Sequence, residues 1–104
     1  MMQSEIVFSP EARDDLLNLY HYIAEHSGAD RAIGYLDRIE AFCRSLSMFP
    51  ERGTPRDDLF PGLRVVGFER RVAIAFHIDP GKVTIDRILY GGRDLGLLKP
   101  PAAP

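Results

Sequence analysis

The chain contains one cysteine, Cys43, among 104 residues, which excludes an internal disulfide and any multi-cysteine zinc site. A lone thiol fits a reducing compartment, so a cytoplasmic location is expected. Long apolar runs are also missing: no stretch approaches the ~20 residues that a membrane-spanning helix needs. Residues 1–8 carry Glu5 and have neither a basic segment nor an apolar core, so no secretory signal is expected there. Lysine is scarce, with Lys82 and Lys99 alone against eleven arginines. A phosphate-cradling loop is absent too, since nothing after Gly91-Gly92 matches a P-loop or a dinucleotide fingerprint. His21, His26 and His77 fall on different expected elements, with no ligand-like spacing to a carboxylate. Neither a metal nor a cofactor is therefore expected.

What is present describes a folded domain. The composition is 45% hydrophobic and 27% charged, that of a globular chain, and the length suits one domain. We expect residues 1–96 to form it and 97–104 (Leu-Leu-Lys-Pro-Pro-Ala-Ala-Pro begins at Leu97) to be a Pro-rich tail. The net charge of −2 conceals an asymmetry. The acids cluster in the first half, whereas most arginines lie beyond residue 51. Arginine forks suit carboxylates and phosphates, so the second half is expected to face something acidic.

Local signals set the order of elements. Residues 3–8 read as a short strand. Ser9 stands at an N-cap position with Pro10 at the first helical position, and Ala12, Leu16, Leu19, Tyr20 and Ile23 follow at helical spacing. Gly28 ends that helix. Ala32, Leu36, Ile39, Cys43 and Leu46 make a second helical stripe that is expected to run to about Phe49-Pro50. Residues 51–62 hold too many breakers for an element. The period then changes to two, with strands expected over 63–68, 71–78 and 83–90. Glu69-Arg70 and Asp79-Pro80-Gly81-Lys82 are the turns between them. Arg87-Ile88 breaks the alternation and marks a bulge. The resulting β-α-α-β-β-β order predicts an α+β domain: an antiparallel sheet with a helical hairpin on one face and the other face left for a ligand or partner.

Few side chains can carry chemistry. Cys43 lies on the apolar stripe of the second helix, where a buried, inert thiol is expected. Ser45 and Ser47 have no neighbouring histidine in sequence. There remains a basic set on the strands: Arg64, Arg70, Arg71, Arg87 and Arg93. It serves equally an RNase that steadies phosphate charge, a docking face for an acidic protein, or solvated strand-edge charge. The first helix presents an apolar arc of roughly 220° from Tyr22 to Leu17, wider than one packed face needs. Its surplus, Leu17, Tyr20 and Ala24, together with Ile33 of the second helix, forms a candidate groove for an apolar partner segment.

These patterns resemble a known family. Phe8-Ser9-Pro10-x-Ala12-x-x-Asp15-Leu16, Leu19-Tyr20-x-Tyr22-Ile23, the Leu46-x-x-Phe49-Pro50-x-x-Gly53 helix exit, Pro61-Gly62-Leu63-Arg64 and Ile88-Leu89-Tyr90-Gly91-Gly92-Arg93-Asp94 are similar to the RelE/ParE toxin superfamily. The similarity spans about residues 4–94 and is nearest to the ParE branch, the toxin half of type II toxin–antitoxin systems such as those that stabilise plasmids. The resemblance implies a non-enzymatic bacterial toxin that inhibits growth by binding DNA gyrase. It also implies neutralisation by a ParD-type, ribbon-helix-helix antitoxin in a hetero-oligomer, with DNA reached only through the antitoxin. On that reading Arg64, Arg87, Tyr90, Arg93 and Asp94 contact the target, and Leu17, Tyr20, Ala24 and Ile33 contact the antitoxin. The RelE branch, which cuts mRNA on the ribosome, is the alternative, with Arg64, His77 and Arg93 as its catalytic set. A toxin decayed to an antitoxin-binding module is a third. The loop before Arg64 lacks lysine and no tyrosine follows Arg93, which departs from the RelE pattern.

Overall fold

A computed structural model describes residues 4–91. The elements run β1 (Glu5–Phe8), α1 (Pro10–Ser27), α2 (Ala29–Ser45), β2 (Thr54–Pro55), β3 (Leu63–Phe68), β4 (Val72–Asp79) and β5 (Lys82–Tyr90). The strands form one sheet in the order β1-β5-β4-β3-β2. The helical hairpin packs on one face, as the periodicity predicts.

The sheet itself corrects the sequence reading. It is mixed rather than antiparallel, because β1 runs parallel to β5, pairing Glu5–Phe8 with Lys82–Ile85. After the three-strand meander, the outer edge of β5 is the place where Ile6 and Phe8 can pack against the common core. The region expected to be all loop contributes the short edge strand β2, paired with β3. Gly53, at φ 79°, precedes it, and a Cβ there would collide with the Val65 carbonyl. The second helix stops four residues early, at Ser45. Its hydroxyl donates to the Phe42 carbonyl (2.5 Å), an alternative to continued helical bonding, and residues 46–48 turn instead. Met48 and Phe49 are consequently exposed.

Other local expectations hold. Ser9 accepts the Ala12 N–H (3.0 Å) and donates to the Asp86 carbonyl (2.9 Å), so one cap fixes both the start of α1 and its seat on β5. Gly28 takes φ 95°, which lets α2 begin one residue after α1 ends. Glu69 and Arg70 both adopt positive φ, 49° and 65°, in the three-residue β3–β4 connection, where the Arg71 N–H donates back to the Phe68 carbonyl (3.3 Å). The bulge falls where the alternation breaks: Ala75 pairs with Arg87 but Phe76 pairs with Ile85, leaving Asp86 extra.

The core lies between sheet and hairpin, where Ile39, Leu46, Ile74, Phe76, Val83 and Ile85 are fully buried. The opposite face is not wholly open. Leu59, from the loop, packs on Leu63, Val65 and Ala75 there. No helix among the described residues is long and apolar enough to cross a membrane.

Candidate functional site

The richest cluster sits where β5 leaves the sheet beside α1. Asp15 is one turn into α1 and points sideways at the bulge. Its carboxylate accepts two bonds from the Arg87 guanidinium (2.8 and 2.9 Å) and the Ile88 backbone N–H (2.9 Å). The pair is mostly sheltered, with 13% of the Asp15 side chain and 27% of Arg87 exposed. The hydrogen bonds from Arg87 to Asp15 strengthen the guanidinium's hold on its proton. Ile88 pairs with Ile74 at a position whose backbone groups face away from β4, and here a carboxylate takes up the outward N–H. Arg87, a candidate target contact, thus already has a partner.

Beyond Arg87, three tyrosines converge. Tyr90 of β5 lies 5.9 Å from Tyr22 of α1 and 6.1 Å from Tyr35 of α2, ring centre to ring centre. The Tyr22 ring is stacked on His26 at 4.3 Å. Two clefts open around this cluster. One, about 300 Å3, is lined by Asp15, Asn18, Tyr22, Ile88 and Tyr90 among others. The other, about 420 Å3, shares Tyr22 and Tyr90 and reaches Arg31, Tyr35 and Arg71. Burial raises the Tyr35 hydroxyl's pKa, with the nearby Glu69 charge acting in the same direction. That hydroxyl is buried with no hydrogen-bond partner.

The remaining candidates are scattered. Arg64 folds back on the chain, donating to the carbonyls of Arg52 (3.0 Å), Glu51 (2.6 Å) and Gly53 (3.4 Å), and so pins the loop that leads into β2. His77 lies between two carboxylates, Nδ1 at 2.7 Å from Asp86 and Nε2 at 3.3 Å from Asp79. Only the doubly protonated ring donates to both. Burial raises the Asp86 pKa, and His77 partly offsets this. Arg64 pairs with Phe76, whose side chain faces the helices, so His77, the next residue of β4, points to the other face. The two are not brought together. Arg93 and Asp94 lie outside the described residues.

Of the groove residues, Tyr20 and Ala24 pack partly buried against the core, while Leu17 and Ile33 are about half exposed, at 56% and 50%. Cys43 is buried, which pushes its thiol up to about 12, far from reactivity at neutral pH. Among the described residues no group of three or more His, Cys, Asp or Glu could hold a metal. In the sequence Asp15 stood out only as part of the opening motif of the family resemblance, and Tyr35 was not singled out. Asp15 and Tyr22 lie seven residues apart, on one side of the apolar stripe. That spacing was the available signal for a sideways contact.

Comparisons with known proteins fit this architecture. The family model described as the ParE toxin of the type II toxin–antitoxin system parDE matches residues 6–95. Toxin ParE3 of Caulobacter vibrioides is 35% identical over 81 residues, covering 78% of this chain and 80% of that protein. A chain of the chromosomal ParDE toxin–antitoxin system from P. aeruginosa superposes with a TM-score of 0.75 at 21% identity, covering 86% of this chain and 97% of its own. The RelBE2 toxin–antitoxin complex of Mycobacterium tuberculosis contributes a chain with a TM-score of 0.67 at 23% identity, covering 89% and 97%. Those two structures share the fold, and the family model together with the Caulobacter relative shows the descent: this chain belongs to the ParE toxin family of type II toxin–antitoxin systems.

Proposed function

We propose that the chain inhibits DNA gyrase by direct binding, without catalysis of its own, and is neutralised by a ParD-type antitoxin. Membership of the ParE family supports the gyrase and antitoxin parts of this reading. The observation that carries the non-enzymatic part is the separation of Arg64 from His77. Acid–base cleavage of RNA needs its base and its phosphate-binding arginine at one reacting centre. Here Arg64 is engaged by three carbonyls, and His77 faces the other side of the sheet between two carboxylates. A protein-binding mode makes no such demand. Its surface is the tyrosine-rich exit of β5, with Tyr90 at its centre and Arg93 and Asp94 following in sequence. Arg64 and Arg87 support that surface by holding the loop and the bulge in place.

The test is a gyrase supercoiling assay with folded, antitoxin-free protein, scored for lost supercoiling and for accumulated cleaved DNA. Inhibition with cleaved DNA is expected. Arg93→Ala is expected to abolish growth inhibition while leaving antitoxin binding intact. An inert folded protein in the gyrase assay, combined with cleavage of mRNA on ribosomes, would sink the proposal in favour of a RelE-type nuclease.

A further inference from the structure

The two edges of the sheet are built differently. On one side β2 is the outer strand, short and exposed, and it carries Pro55, which has no N–H to offer a neighbour. On the other side β1 is the outer strand and has no such guard. Its Ile6-Val7-Phe8 run holds no proline or lysine and pairs with β5 without a bulge, and Glu5 is its single charge.

The direction of the β1 backbone groups follows from two hydrogen bonds. Glu5 donates its N–H to the Gly81 carbonyl and Ser9 to the Ile85 carbonyl, each at 2.9 Å. Backbone groups alternate sides along a strand, so Glu5, Val7 and Ser9 turn theirs toward β5, and Ile6 and Phe8 turn theirs outward. Those outward N–H and carbonyl groups have no partner among the described residues. The Ser4 N–H, in the same phase, is already accepted by the Ser47 carbonyl (3.2 Å), so the open stretch begins at Ile6. It ends at Phe8, because α1 starts at Pro10. The Ile6 and Phe8 side chains pack against the core yet remain only partly buried, with no strand flanking them.

This stretch is complementary to itself. A two-fold axis through Val7 sets Ile6 opposite Phe8 of a second copy, and Phe8 opposite its Ile6. Both are bonded antiparallel pairs, each exchanging both N–H···O bonds, so every outward group is satisfied. On the helix face each pair joins an aromatic to a β-branched side chain, a favourable cross-strand contact. Val7 points to the other face and meets Val7 of the second copy in the closer, non-bonded pair. Charge permits the register, since Glu5 falls opposite Ser9 of the second copy and not opposite its Glu5.

We propose that the β1 edge is a homodimer contact: a second copy of this chain adds antiparallel along Glu5–Ser9, and the two sheets become one. The contact flanks Lys82–Ile85, the half of β5 away from Tyr90, so it stands independently of the gyrase and antitoxin reading. A strand this short makes a small interface of the weak, transient class, with a dissociation constant on the order of 10–100 µM.

Sedimentation velocity on the full, antitoxin-free chain, from about 1 µM to about 1 mM, tests this. A shift from monomer to dimer is expected across that range. At ten times the dissociation constant about one chain in five stays single by mass action, so hydrogen exchange at the Ile6 and Phe8 amides is expected to slow about fivefold there. Val7→Glu and Val7→Lys, checked for folding by circular dichroism, place like charges across the axis, and each is expected to stay monomeric. Their equimolar mixture is expected to dimerise again. A wild-type chain that is monomeric throughout overturns the proposal, as does a dimer that both Val7 variants retain. A mixture that stays monomeric overturns the two-fold register at Val7. Protection of the Ile6 and Phe8 amides only when antitoxin is added overturns the second copy as occupant, and the exchange measurement needs no variant.

Discussion

Replacing Asp15 with alanine removes three hydrogen bonds at one stroke, two from Arg87 and one from the Ile88 amide. The terms differ in size. Arg87 remains partly exposed and can turn to water, so the ion pair contributes about 1 kcal/mol, at the upper end for surface pairs. The Ile88 amide sits just past the bulge, beneath α1, and losing a charged acceptor there costs about 2 kcal/mol. The sum is ~3 kcal/mol, or ~12 °C in Tm at about 4 °C per kcal/mol for a domain of this size. Asp15→Asn separates the two contributions, because the amide oxygen still accepts from Ile88 while the charge is gone. It is expected to lose only about 1 kcal/mol. Urea denaturation of wild type, both Asp15 variants, Arg87→Met and the Asp15→Ala/Arg87→Met pair gives the coupling directly, expected near 1 kcal/mol. The reasoning is refuted if Asp15→Asn is as damaging as Asp15→Ala, or if Asp15→Ala costs less than about 1 kcal/mol.

Three further outcomes follow from other sites. Cys43, buried with its thiol pushed to about 12, is expected to resist iodoacetamide at pH 8 until urea unfolds the chain; rapid labelling of the native protein would contradict the burial. Arg70 holds φ 65° with a full side chain, a conformation that costs a non-glycine residue about 1 kcal/mol, so Arg70→Gly is expected to raise Tm by a few degrees in calorimetry. Asp86 has a raised pKa in the folded state, so the native chain binds its proton more tightly than the unfolded one. Stability from this group is greatest at low pH and falls as pH rises above the ordinary carboxylate value of about 3.9. Asp86→Asn, which can still accept from His77, removes that decline, so its stability relative to wild type is expected to improve between pH 4 and pH 6.5. A gap that stays constant across this range would refute the assignment.

Much of the fold was legible because its signals are local. Ser9-Pro10, the helical stripes, Gly28 and the turn residues between strands each act within a few positions, through capping bonds and backbone preference. The break in alternation at Arg87-Ile88 placed the bulge for the same reason. The site was less legible. Arg64 and Arg87 stand out as charges in the sequence, yet the structure spends one on loop carbonyls and the other on Asp15. His77 was legible as a residue facing away from the helices, but its two carboxylates come from the end of its own strand and from the bulge of the next.

By itself, then, the sequence determined the order of every element but the short edge strand β2, the stripes that form the core and the family to which the chain belongs, all written in short-range spacing. The tertiary structure alone decided that β1 lies parallel to β5 and ends halfway along it, and that Asp15 meets Arg87 across 72 positions. It also decided that the tyrosines of α1, α2 and β5 share one cleft. Strand pairing and sideways helix contacts are settled by which long-range packing buries the most apolar surface with every backbone group satisfied. No window of neighbouring residues contains that comparison.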